Sequence, residues 1–182
     1  ESALILYLSD ITALGLFSVA SVLRGAVNTL PTVVMQVLSP RVVTAFAQDG
    51  SMRNAKTRVI WVTVGLIGIM AIVACISTFL LDIFVPLLIP KYVAGIPVMK
   101  LCLWFPVVQA AYLPIYNLFA MGKPWLFGRG IIVGIIIFAL TTYILVPLIG
   151  GLLAVTVGSL LGRTVRTLAA YVDLFALIKR EV

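Results

Sequence analysis

Long apolar runs separated by short polar or proline-containing turns dominate the chain. Five of these runs are long enough to cross a bilayer as helices, because the hydrocarbon core needs about 20 apolar residues at a rise of ~1.5 Å each. The apolar residues are continuous rather than alternating, which is typical of membrane helices and not of barrel strands. The predicted spans are residues 12–38, 59–85, 93–121, 125–146 and 152–178.

The composition supports this pattern. Hydrophobic residues make up 63% of the 182 residues, charged residues only 10%, and the mean hydropathy is +1.22. A soluble domain has roughly 45–50% apolar and 25% charged residues. The predicted fold class is therefore all-α, a polytopic membrane helical bundle of about five transmembrane helices.

The first span carries a charge near its middle. Arg24 at that depth costs about 2.5–3.5 kcal/mol if it faces lipid, so we expect it to face other helices or water. Asn28 and Pro31 follow one and two turns later, on the same face. This spacing predicts a polar, kinked face that lines a cavity. The alternative is that Arg24 snorkels to the interface or forms a structural pair with another helix.

The third span differs from its neighbours because three prolines, Pro97, Pro106 and Pro114, interrupt it. Interior prolines kink or break a helix, so we expect this helix to be bent. The predicted hinge residues are Pro106 and Pro114, together with Pro31 of the first span. Polar residues recur on one face of this helix and are predicted to line the cavity, although the tyrosines could instead lie in an interfacial belt. They are Gln109, Tyr112, Tyr116 and Asn117.

The fifth span combines a polar stripe with a stripe of small residues. Arg163 and Arg166 continue the polar stripe that begins at Thr156 and Ser159, and we expect it to face inward. Ala154, Gly158 and Gly162 form the small stripe, which we expect to pack on a neighbouring helix. In the fourth span Gly130 and Gly134 have the G-x-x-x-G spacing that permits close helix approach.

The second and fourth spans have no polar face, which predicts peripheral helices exposed to lipid. Spans one, three and five can then enclose a hydrated interior. With Arg24, Arg163 and Arg166 and no mid-span carboxylate to compensate them, that interior would attract an anion. Guanidinium groups match phosphate oxygens well, which favours a phosphate-bearing amphiphile as cargo. The predicted anion-binding set is Arg24, Asn28, Arg163 and Arg166.

Several other chemistries find no support in the sequence. The chain has no histidine, the commonest general base and metal ligand, and its acids are scattered toward the span ends. Cys75 and Cys102 both lie in apolar spans and are interpreted as small buried hydrophobes. We therefore predict no enzyme activity, no metal site and no cofactor, and the dispersed basic residues do not favour nucleic-acid binding.

The distribution of Lys and Arg predicts the orientation. The net charge is +7, and an excess of basic residues marks the cytoplasmic side. That side is predicted to hold the C-terminus and a loop over 46–58, and the turns near 86–91 and 147–151 would be external. The basic residues of the predicted cytoplasmic side are Arg41, Arg53, Lys56, Arg58, Lys123, Arg129, Lys179 and Arg180.

The beginning of the chain indicates a larger protein. The chain begins with Glu1 and not with an initiator Met, and residues 1–8 look like the end of a longer element. Ser9-Asp10 is a plausible N-cap for the first span. With five spans and a cytoplasmic C-terminus, the chain would start outside, and we expect it to be a C-terminal piece of a polytopic protein.

Three segments, in this order, resemble one transporter family. "LGLFSVASVLRGAVNTLPTVVMQVLSPRVV" and "FVPLLIPKYVAGIPVMKLC" are similar to segments of lipid-linked oligosaccharide flippases, although Pro90 stands where those proteins usually have glycine. "LVPLIGGLLAVTVGSLLG" resembles their late Pro-x-x-Gly turn with altered spacing. The chain thus resembles the C-terminal half of the Wzx-like polysaccharide transporters, in the superfamily that also contains multidrug and toxin extrusion (MATE) proteins.

The resemblance implies a transporter of about 12 helices in two lobes around a central cationic cavity. The five spans would be helices eight to twelve, most of the C-terminal lobe. Such a protein would move an undecaprenyl-pyrophosphate-linked sugar unit across the bacterial cytoplasmic membrane by alternating access. Its implied partners are the lipid-linked oligosaccharide, membrane lipids, the N-terminal lobe of the same protein and a coupling proton or sodium ion.

Two alternatives remain at this point. A MATE cation-coupled antiporter shares the architecture but needs membrane-buried carboxylates, and only Asp82 and Asp173 come close. A non-transporting membrane scaffold could bind a partner through its glycine stripes.

Overall fold

The computed structural model describes residues 1–49, 52–120 and 124–180, and within these ranges it is helical apart from short turns. It begins with α1 (Ser2–Leu8), α2 (Ile11–Asp49) and α3 (Met52–Leu88). A 3₁₀ turn (Pro90–Gly95) leads to α4 (Ile96–Cys102) and α5 (Phe105–Ala120). The chain continues with α6 (Pro124–Ile149) and α7 (Gly151–Arg180).

Five segments of the described residues are long and apolar enough to cross a membrane, which confirms the predicted all-α polytopic bundle. They are Ile11–Val37, Ile60–Leu88, Pro90–Tyr112, Gly128–Ile149 and Gly151–Asp173. The third and fifth are the most enclosed: 44% and 39% of the residues in an 18-residue apolar stretch of each are buried, against 22% for the second and 11% for the fourth. In the first, only 17% of such a stretch is buried, and the buried hydrophobic residues of α2 include Phe17, Ala20 and Met35.

The predicted loop over 46–58 is wrong for the residues that the structure describes. Helix α2 continues to Asp49 and α3 begins at Met52, and only residues 50–51 of this stretch lie outside the described ranges. The sequence here is polar, but it is also rich in residues with good helix propensity, such as Ala, Lys, Arg and Met. Polarity therefore marks where the helices leave the apolar layer and not where they end.

The structure divides the predicted third span at Leu103 and Trp104. The Trp104 amide donates to the Leu101 carbonyl at 3.1 Å, one residue nearer than in an α-helix. Pro106 has no amide hydrogen to donate to Cys102, so the regular pattern cannot continue across it. Pro106 is instead the second residue of α5, where a missing donor costs little. Proline thus determines where one helix stops and the next begins.

Helices α6 and α7 form the closest helix pair, and glycines line their contact. A Cβ added to Gly162 would lie 2.6 Å from the Gly134 carbonyl oxygen, and one added to Gly134 would lie 2.9 Å from that of Gly162. The prediction that the small stripe of the fifth span packs on a neighbour is confirmed. Of the two G-x-x-x-G residues, Gly134 makes the tight contact, whereas a Cβ on Gly130 would meet only ordinary van der Waals distances.

The 3₁₀ turn before α4, the turn between α6 and α7 and the end of α1 lie together at one end of the bundle. Gly151 at the start of α7 is so close to Ser9 that a Cβ there would lie 2.6 Å from the Ser9 Oγ. A small pocket at this end is lined by Ser9, Ala94 and Gly150, among others. Asp10 caps α2, as predicted, because its Oδ1 accepts a hydrogen bond of 2.7 Å from the Ala13 amide. Helix α1 therefore folds back along the start of α7.

The main core lies where α2, α4 and α5 meet, with contributions from α1, α3 and α7. It includes the residues on both sides of the break at 103–104, so the break is packed rather than loose. Its fully or nearly fully buried members are Ile5, Phe17, Ala20, Ala74, Leu81, Val85, Val98, Met99, Cys102, Leu103, Phe105 and Val155.

We predict that Gly162→Ala destabilises the protein by about 1–3 kcal/mol, because the added methyl overlaps a backbone carbonyl of α6 that cannot move alone. Thermal unfolding in detergent measures the effect. Gly130→Ala is the matched control, since its methyl finds room, and it should leave the midpoint nearly unchanged. Equal midpoints for the two variants would contradict the observed packing of α6 against α7.

Candidate anion-binding site

Arg24 and Arg163 lie near the middle of their membrane-length segments. Arg24 is the central residue of Ile11–Val37, and Arg163 is one residue from the centre of Gly151–Asp173. Their side chains are 23% and 39% exposed. Neither residue is near a helix end, where a long side chain could extend to the surface. The two guanidinium groups therefore have to be stabilised inside the bundle or by water within it.

One carboxylate joins these two arginines. The Arg24 Nη1 donates to the Glu1 Oε2 at 2.9 Å, and the Arg163 Nη2 donates to the Glu1 Oε1 at 3.0 Å. The Ser159 hydroxyl, one turn before Arg163, also donates to the Glu1 Oε1. The expectation that no carboxylate compensates the arginines is wrong for this pair. Sequence spacing could not reveal it, because Glu1 reaches mid-membrane depth only when α1 folds back along α7.

The ring of Phe105 forms a platform beneath both arginines. The Arg24 Cζ lies 4.9 Å from the ring centroid and the Arg163 Cζ lies 5.2 Å from it. These distances are within the range of cation–π attraction, which is worth more where water is excluded. Phe105 is itself buried and is the first residue of α5, directly after the break. Phe105 was not among the predicted site residues, because an apolar residue in an apolar span does not stand out in the sequence.

Arg166 lies one turn further along α7 and has a different environment. Its Cζ is 4.1 Å from the centroid of the Tyr112 ring, and Tyr112 is buried. Within the described part of the chain, no carboxylate oxygen lies within salt-bridge distance of Arg166. Its Nε is buried without a hydrogen-bond partner. Leaving a buried donor unsatisfied has a free-energy cost, which Glu1 does not relieve because it does not pair with Arg166.

An open pocket of about 190 Å³ lies between α6 and α7 beside these groups. Arg163, Arg166 and Ser159 line its polar side, and residues of α6 such as Ile135 and Phe138 line the other. Three guanidinium groups and one carboxylate give the cluster a net charge of +2. Two of these guanidinium groups, those of Arg163 and Arg166, line the pocket itself, and positive charge beside an open pocket attracts anions, particularly those with several oxygens.

The structure brings together only some of the predicted site residues. Arg24, Arg163, Arg166 and Tyr112 contribute directly to the cluster or to its aromatic support. Asn28 is half-buried one turn beyond Arg24 and does not join the Glu1 hydrogen bonds. Gln109 is also half-buried. The side chains of Tyr116 and Asn117 lie outside the described residues.

The predicted hinge prolines occupy different settings. Pro31 is fully buried inside α2, and Pro106 is fully buried in the first turn of α5, beside Phe105. The side chain of Pro114 lies outside the described residues. Of the three, only Pro106 lies beside a break between two helices, the one between α4 and α5. The neighbouring Phe105 supports the arginine cluster through its ring.

The described residues contain no group of three or more His, Cys, Asp or Glu side chains that could hold a metal ion. Their remaining ion pairs join Lys100 to Asp82 and Arg129 to Asp173, and neither pair includes Glu1 or its arginine partners. Cys102 is buried and Cys75 is exposed, and neither is in a disulfide. Comparison with protein-family models, curated proteins and solved structures finds no match.

We predict that Arg24→Gln and Arg163→Gln are non-additive in the free energy of unfolding, because either arginine can still pair with Glu1 after the other is removed. Only the double variant leaves the carboxylate without a cation, so its loss should exceed the sum of the two single losses by about 1 kcal/mol or more. Denaturant unfolding of the wild type, the two single variants and the double variant, all in one detergent, measures the four free energies of unfolding that this comparison needs.

The control combines Arg24→Gln with Lys100→Gln, which belongs to the separate Asp82 ion pair. These two losses should add to within about 0.5 kcal/mol. Additivity in the Arg24–Arg163 cycle as well would mean that the shared carboxylate does not couple the two helices.

Proposed function

We propose that this chain is part of a membrane transporter that moves an anionic amphiphile across the cytoplasmic membrane of a bacterium. The cargo we favour is an undecaprenyl-pyrophosphate-linked oligosaccharide, and the chain would form most of the C-terminal lobe of a two-lobe, Wzx-like flippase. Five membrane-length helices and a net positive cluster at their mid-depth support this proposal. The sequence resemblance, which names the cargo class, is the second support.

One observation carries the proposal furthest: Arg166 has a buried donor with no partner and lines an open pocket beside Arg163. A cation placed for purely structural reasons would be expected to have its donors satisfied within the fold. A diphosphate offers several acceptor oxygens and more than one negative charge. It would place negative charge beside Arg166, which has no carboxylate partner among the described residues, and would match the net charge of the cluster.

In this proposal the break between α4 and α5 serves as the hinge. Phe105 and Pro106 at the break connect the backbone interruption to the arginine cluster through the Phe105 ring. A change in the angle between α4 and α5 would therefore move the platform under Arg24 and Arg163. Coupling of cargo binding to lobe movement would follow from this connection.

A cation-coupled antiporter of the MATE type is the second candidate, and Glu1 is the observation in its favour. A carboxylate at membrane depth is the feature that such antiporters need. Here, however, both oxygens of Glu1 accept hydrogen bonds from arginines, so its charge is already compensated. Asp82 and Asp173 are likewise paired with basic residues. The scaffold alternative loses support because the glycine stripe of α7 is occupied by α6 of the same chain.

We expect Arg166→Gln to weaken binding of a lipid diphosphate by about tenfold to a hundredfold, since a charge-assisted hydrogen bond contributes about 1.5–3 kcal/mol. Arg163→Ala should lose as much affinity for the diphosphate. Arg163→Lys should lose less, because Lys keeps the positive charge but not the planar guanidinium that can donate two parallel hydrogen bonds. Binding of farnesyl diphosphate to the full-length protein in nanodiscs measures these affinities.

Two controls separate phosphate recognition from general hydrophobic binding. Farnesol has the same hydrocarbon chain without the diphosphate and should be insensitive to all three substitutions. Arg129→Gln removes an exposed basic residue near the start of α6 and should leave diphosphate binding unchanged. Undiminished diphosphate affinity in both Arg166→Gln and Arg163→Ala would remove the basis for an anionic cargo.

A further inference from the structure

The Glu1 carboxylate is bound in the way that an anionic ligand would be. Its two oxygens accept from three donors on two different helices: the Arg24 Nη1, the Arg163 Nη2 and the Ser159 Oγ. Carboxylates and phosphates are recognised by the same arginine geometry, with charge-assisted hydrogen bonds to each oxygen. The donors that surround Glu1 therefore form a site that a phosphate oxygen pair could also occupy.

The two arginines have support that does not depend on Glu1. Both guanidinium groups lie over the ring of Phe105, at 4.9 and 5.2 Å from its centroid. Phe105 is held by its own burial in the core and by its position at the start of α5. The attraction to the ring persists whichever anion lies between the arginines. One anion can thus replace another without the loss of the whole arrangement.

Glu1 leaves part of the positive charge unused. It has a single negative charge and does not reach Arg166, which lines the same pocket as Arg163. A diphosphate could accept from Arg24, Arg163 and Ser159 and still offer oxygens to Arg166. Because it has more charge and more acceptors than one carboxylate, it would compete effectively for the cluster.

We infer that Glu1 is an internal stand-in for the cargo anion, and that binding of a diphosphate head group displaces its carboxylate from Arg24 and Arg163. This inference rests on the proposed function and adds the mechanism by which the empty site is kept neutralised. In the absence of cargo, Glu1 limits repulsion between the two arginines and joins α1 to α2 and α7. Bound cargo would neutralise the two arginines in place of Glu1, and α1 would no longer be joined to α2 and α7 through this carboxylate.

The inference predicts that Glu1→Gln strengthens diphosphate binding, by about tenfold or more, because a competing charge-assisted contact is removed. Glu1→Asp keeps the competing charge and should bind much as the wild type does. Affinities of the full-length protein in nanodiscs for inorganic pyrophosphate and for farnesyl diphosphate, measured by titration calorimetry, test this. Asp82→Asn, which breaks an unrelated ion pair, should have no effect.

A permanent structural ion pair would give the opposite result. In that case Glu1→Gln would loosen α1, α2 and α7 and leave diphosphate affinity unchanged or weaker, and either outcome overturns the inference. If no diphosphate binds to the wild type or to any variant, the proposed function fails instead. If the wild type binds, Arg163→Ala weakens binding and Glu1→Gln does not strengthen it, only this inference fails.

A second measurement uses the wild-type protein and does not require that Glu1→Gln folds. Carbodiimides modify carboxyl groups that are accessible and free of cationic partners. Pyrophosphate should increase carbodiimide labelling of Glu1, measured by mass spectrometry, because it displaces the carboxylate from both arginines. Labelling that stays constant or decreases with pyrophosphate would show that Glu1 remains paired, and would overturn the inference.

Discussion

The cost of placing guanidinium groups at the middle of a bilayer is the constraint on which the rest of the structure depends. Arg24 and Arg163 are each about as far from the ends of their membrane-length segments as a residue can be. The fold meets this cost with one carboxylate shared by both arginines, one hydroxyl and one aromatic ring, which come from the residue before α1, from α7 and from α5. The bundle is therefore organised by a polar cluster as well as by apolar packing.

The supporting elements are explained by that cluster. Helix α1 folds back along α7, which brings Glu1 to the arginines, and the tight approach of Ser9 to Gly151 fixes this arrangement at the other end of α1. The break before Pro106 allows α5 to begin with Phe105 beneath both guanidinium groups. A continuous helix from 96 to 120 would require a regular hydrogen bond that Pro106 cannot make. The break caused by Pro106 and the stabilisation of the two guanidinium groups by Phe105 thus depend on adjacent residues.

Periodicity and composition were sufficient to predict the helical class, five membrane-length helices and the packing of Gly162 on a neighbouring helix. They could not predict Glu1 as a partner, because that contact joins residues more than 150 positions apart and depends on tertiary folding. The polarity of 46–58 was misleading, since helices continue beyond the membrane where propensity allows. Tyr112 was recognised from its spacing, whereas Phe105 was missed because an apolar residue in an apolar span gives no contrast.

The glycine contact between α6 and α7 has a consequence for motion. The carbonyl groups lie so close to the facing glycines that not even a Cβ would fit between them, which leaves no room for the two helices to slide, so Arg163 and Arg166 move with α6 as one stiff unit. Arg24 belongs to α2, on the other side of the cluster. Any opening of the bundle between α2 and α7 therefore separates two like charges, and it also requires the Glu1 carboxylate to release one of the two arginines.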